Sequence, residues 1–173
     1  MSDHTPACIR ISGRIHLPGD LSILARAALL DGTAPDWGGE QFRTPDDVAA
    51  HVAEAIRRAA PCIFHDRLCR DGRLTEMIAA CMAIGLAFTH HRDPGNGYDG
   101  DIMSWMPGWD EPVTALAVGI RAAACRSDLA GDQHALLHRL AQAEGDLPDF
   151  PRTLSAAPAV LAGLSTLGDG RSP

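Results

Sequence analysis

The clearest pattern along the chain is an alternation near its start. From Cys8 to Leu17 the apolar Ile9, Ile11, Ile15 and Leu17 alternate with Arg10, Ser12, Arg14 and His16, the period of a half-buried strand. Gly13 falls on the apolar side, which predicts a bulge or the close approach of another element. Pro18-Gly19 turns the chain, and Asp20 is placed to cap a helix running to about Leu30, with Asp31-Gly32 as its stop. In the loop Thr33 to Arg43, Trp37 and Phe42 either anchor the loop or contact a ligand, and anchoring is the expected use. Thr44-Pro45-Asp46-Asp47 is a second helix start, with a Thr cap, Pro at the first helical position and carboxylates at the positive end of the dipole. That helix is predicted to run to about Ala60 on an inner stripe of Val48, Val52 and Ile56.

Cys62 to His65 reads as a short strand. A third helix is predicted from Asp71 or Gly72, carrying Leu74, Met77, Ile78, Cys81 and Met82 at helical spacing and stopping at Gly85. Two strand-like runs, Leu86 to Arg92 and Asp101 to Met106, flank a turn-rich segment and predict a hairpin. Asn96-Gly97 suits a type I′ tip. Counting back from it sets Phe88 opposite Trp105, His90 opposite Met103 and Arg92 opposite Asp101, with Leu86, Phe88, Met103 and Trp105 on the buried face. Asp110 or Glu111 is expected to begin a helix carrying Val113, Leu116, Ala117, Ile120 and Ala124, and another should run from about Leu129 or Asp132 to Ala143.

Residues 1–150 thus read as a single α+β domain. Residues 151–173 read as an extension, in which Val160, Leu161, Leu164 and Leu167 form a short docked helix before a disordered tail. The order of elements lacks a regular βα alternation. The predicted class is therefore α+β: a small, mainly antiparallel sheet, built from the N-terminal strand and a hairpin, packed with about five helices.

Composition adds the setting. A chain of 173 residues with 46% hydrophobic and 21% charged residues and a mean hydropathy of -0.05 can bury a core unaided and has no membrane-class composition. Five cysteines at irregular spacing, without a C-x-x-C pair, read as buried thiols. With a short polar N-terminal segment, they point to the cytoplasm. The net charge of -7 opposes direct nucleic-acid binding, which depends on clustered positive charge.

Histidine is the most enzyme-like residue type present, at His65-Asp66 and His90-His91, because imidazole beside carboxylate can bind a metal or move protons near neutral pH. With His51 these approach the pattern of metal-dependent phosphohydrolases, which place the His-Asp pair on a helix, whereas here it follows Pro61 in a strand-like run. His134 and His138 share a predicted helix face but lack the intervening glutamate that would activate water. No nucleophile elbow or phosphate-binding loop is present. A small metal-dependent hydrolase using His65, Asp66 and His90, with Asp101 nearby, is the alternative reading. The preferred one is non-catalytic, with no cofactor and no metal.

From Gly85-Leu86-Ala87-Phe88 through Tyr98-Asp99-Gly100-Asp101-Ile102 to Trp105-Met106-Pro107-Gly108, the chain resembles small uncharacterised proteins of bacterial plasmids and phages. The resemblance covers residues 85–108 only and transfers no activity. It implies a mobile-element protein, a class rich in accessory and inhibitory factors that act by binding other proteins. The residues fit such a role: Asp99, Asp101, Asp110 and Glu111 lie beside Tyr98 and Trp109, and aromatics with carboxylates suit a partner with a basic surface.

Overall fold

The computed structural model describes residues 4–70, 72–93, 100–116 and 151–168. Strand β1, His4–Ile15, is the alternating segment, and Ala7, Ile9, Ile11 and Ile15 are all buried. It lies inside a mostly antiparallel sheet of order β2-β1-β3-β4-β5. The other strands are β2 (Cys62–Arg70), β3 (Ala87–Arg92), β4 (Asp101–Trp105) and β5 (Val113–Leu116). The last strand, β6 (Leu154–Ala156), pairs in parallel with Gly13–Ile15 of β1. Gly13 marks the handover, because β3 stops pairing at Ser12 and Gly13 N–H then donates to Thr153. Its φ of +111 and the Leu86 side chain 3.5 Å from where a Cβ would sit explain why glycine occupies the position.

Four helices are described: α1 (Pro18–Leu30), α2 (Pro45–Arg57), α3 (Thr75–Ile84) and α4 (Pro158–Gly168). Helix α2 starts as predicted, with Thr44 Oγ1 accepting from Asp47 N–H and the Asp47 carboxylate accepting from Thr44 N–H. Helix α1 begins earlier than expected. Leu17 is its N-cap and Asp20 is the third helical residue, whose carboxylate reaches back to the N–H groups of His16 and Leu17. Helix α3 begins later than expected, because Gly72 has φ +64 and Leu74 is not yet helical. Its first turn is capped from a distance by Asp31, at the end of α1, whose carboxylate accepts from Glu76 and Met77 N–H. That contact also keeps α1 and α3 together.

The hairpin register holds as predicted: Phe88 faces Trp105, His90 faces Met103 and Arg92 faces Asp101. Leu86, Phe88 and Trp105 are buried, and Met103 packs on the core. The predicted tip, Asn96-Gly97, lies outside the described residues, as do the helix expected up to Ala143 and the tail after Gly168. The helix expected from Asp110 or Glu111 is corrected: Val113–Leu116 forms strand β5, antiparallel to β4, whose edge it joins, while Ala117, Ile120 and Ala124 lie outside the described residues. Strand β2 is longer than the Cys62–His65 run, continuing through charged residues to Arg70. In the C-terminal segment Val160 and Leu164 are buried as expected, whereas Leu161 is exposed.

Candidate functional site

Two surfaces and one histidine set emerge from the fold. The predicted acidic patch is divided by it. Asp101 is buried, and its carboxylate accepts from Arg92 at 2.5 Å across the β3–β4 pair, so it joins the two strands. Trp109 packs partly against the core, its carbonyl accepting from Trp105 Nε1 at 3.1 Å and its N–H donating to Met106 at 3.1 Å. These bonds fix the turn at the end of β4. Asp110 and Glu111 are thereby left in solvent, close in sequence to Val113, which is 59% exposed. Tyr98 and Asp99 lie outside the described residues.

The histidines do not come together as the alternative reading required. His65 pairs with Cys8 of β1, whereas Asp66 pairs with Ala7 and His90 with Ile9. Neighbouring residues on a strand point to opposite faces. His65 is therefore on one face of the sheet, and Asp66 and His90 are on the other, among the helices. His90 is 1% exposed, with its Nε2 3.5 Å from the N–H of Leu74 and its Nδ1 unpartnered. Burial, then the nearby charges of His91, Arg92 and Arg73, push its pKa down to about 4, against a smaller upward effect of the Gly72 backbone. It is a neutral core residue at pH 7. Asp66 is also buried and accepts from Leu68 N–H at 2.9 Å. Among the described residues no group of three or more His, Cys, Asp or Glu is arranged to hold a metal ion. His134 and His138 lie outside them.

A second surface was not foreseen from the sequence. Thr5 pairs with Cys69 but Ala7 pairs with Asp66, so Arg67 and Leu68 together oppose Pro6. This is a β-bulge, placed where proline lacks the N–H of a regular ladder. The extra residue turns Leu68 outward, leaving it 69% exposed beside the exposed Arg67. Across from them stands Trp37, 42% exposed. Its loop is tied to β2 by the reciprocal bonds between Ala34 and His65, and is braced within itself by Phe42 N–H donating to Thr33 and Gly38 N–H donating to the Asp36 carboxylate. Pro6, Trp37, Arg67 and Leu68 line an open groove of about 500 Å³.

Imidazoles support the back of this platform. The Trp37 and His65 rings lie 4.6 Å apart. His51 donates from Nε2 to the Ile63 carbonyl at 2.8 Å and packs against Phe42 and Phe64. Burial lowers the pKa of both histidines, with Asp36 opposing in each case. Phe42 thus anchors the loop as expected, whereas Trp37 presents its ring to solvent. The only sequence signals for the platform were Pro6 inside a strand and an isolated Trp in a Gly-rich loop. No helix among the described residues is long and apolar enough to cross a membrane. Neither a family model, a curated protein nor a solved structure matches the chain.

Proposed function

We propose that the chain is a non-catalytic protein-binding module, of the accessory or inhibitory kind, that holds its partner on the Trp37–Leu68 platform. The observation that carries this reading is the bulge. It turns a leucine and an arginine out of a strand beside a tryptophan whose loop is already fixed. Apolar side chains presented from a fixed backbone are suited to binding, because less backbone entropy remains to be lost. A partner's apolar side chain seats between Trp37 and Leu68, and Arg67 meets a carbonyl or carboxylate beside it. The acidic turn at Asp110 and Glu111 has a separate part: with a net charge of -7, it speeds the approach of a basic surface.

Kinetics on the partner isolated from the native host test both surfaces. Leu68→Glu should weaken binding by roughly 2 kcal/mol or more, chiefly through faster dissociation. Asp110→Asn combined with Glu111→Gln should slow association and flatten its dependence on salt. Binding that is indifferent to Leu68→Glu and to Trp37→Ala would remove the platform from the interface. Association unaffected by salt and by the acidic pair would remove the steering role.

A further inference from the structure

Helices α1 and α3 line a second groove, of about 320 Å³, that the proposed binding surface does not use. Its two walls differ. On α1 the large residues Ile23 and Leu30 stand out from the surface, 46% and 61% exposed, with the exposed Arg26 between them. On α3 the wall is Ala79, Ala80 and Ala83, with the exposed Glu76 at its start. Because Asp31 at the end of α1 caps the start of α3, the two helices run back along one another. The groove between them is set before anything docks.

We infer that this groove is the interface of a homodimer. A two-fold axis brings the same patch of two copies together, so residue i of one meets residue j of the other and j meets i. Such a patch must be complementary to itself, and this one is so in shape and in charge. Projecting Ile and Leu side chains on one helix match a wall of alanines on the other, as knobs match holes. One cation, Arg26, is on α1 and one anion, Glu76, is on α3, so the two-fold pairs each Arg26 with the Glu76 of the other copy. A foreign partner would need to supply both features, whereas a second copy already carries them.

Sedimentation equilibrium on the full chain tests the inference. A monomer–dimer equilibrium is expected, with Leu30→Glu yielding monomer while the circular dichroism stays unchanged, since the side chain is exposed. Arg26→Glu alone and Glu76→Arg alone should each weaken dimerisation by on the order of tenfold. An equimolar mixture of these two variants should recover it as a heterodimer, because both interfacial pairs are then of opposite charge. Leu68→Glu should leave the dimer intact, which keeps this result separate from the platform reading. A chain that stays monomeric at every concentration, a dimer unmoved by Leu30→Glu, or a mixture that fails to recover association would each overturn the inference.

Discussion

His90 is where a single residue couples the fold to pH. Its imidazole is buried and its neighbours His91, Arg92 and Arg73 are cationic or can become so. The folded chain therefore takes up its proton only near pH 4, whereas the unfolded chain does so at about 6.5. Between those values the unfolded state binds more protons, so stability is fully present above about 6.5 and is lost as pH falls towards 4. The full loss from this group is on the order of 3 kcal/mol. His51 and His65, also lowered by burial, act in the same direction. Asp31 and Asp93, both raised by burial, act in the opposite one, since acid relieves the cost of their buried charge. Melting temperatures measured from pH 7 to pH 4.5 should fall for the natural chain and fall less for His90→Gln. An imidazole titrating near 6.5 by NMR would show that His90 is not enclosed.

At the scale of elements, the β3–β4 hairpin was legible because its two signals agreed. A turn of Gly and Asn fixed the count, and Phe88 and Trp105 fell on one face at the spacing of a strand. Their rings now stack at 6.1 Å inside the core. Phe88→Ala and Trp105→Ala should each cost about 3 to 5 kcal/mol in denaturant unfolding, and Trp105→Ala should also loosen the Asp110–Glu111 turn, whose anchor is the Trp105 indole N–H. Unchanged midpoints in both variants would place the rings outside the core. Elements that were misread had signals located elsewhere in the chain. The cap of α3 is Asp31, in a different helix, and β5 is specified by the edge of β4 it joins more than by its own four residues. The platform was hidden for the same reason: a bulge is a mismatch between two strands, and neither Pro6 nor Arg67-Leu68 shows it alone. The patch read from Tyr98 to Glu111 was a cluster in sequence, and pairing in the sheet drew Asp101 out of it.

For the molecule as a whole, the unexpected fact is how the chain closes. The strand at the start of the sequence is central in the sheet, and the segment that completes it comes more than a hundred residues later: β6 on Gly13–Ile15, with Leu154 N–H donating to Ala60. Helix α4 then covers α1 and α2. Leu154, Val160 and Leu164 are all buried in this arrangement, and full burial of such side chains is worth about 1.5 to 3 kcal/mol each. Their loss together removes roughly 5 kcal/mol or more, comparable with the whole stability of many domains, about 5 to 15 kcal/mol. Removal also uncovers Ile15 and the end of β1, so the cost includes parallel-strand hydrogen bonds as well as apolar area. A chain truncated after Phe150 is therefore expected to be largely unfolded at 37 °C, with collapsed amide dispersion in NMR spectra and no cooperative melting. Restoring residues 151–168 as a separate peptide should recover part of the dispersion, because pairing of β6 with β1 needs no covalent link between them. A truncated chain that melts cooperatively at the full-length temperature would show that the C-terminal segment only rests on the fold.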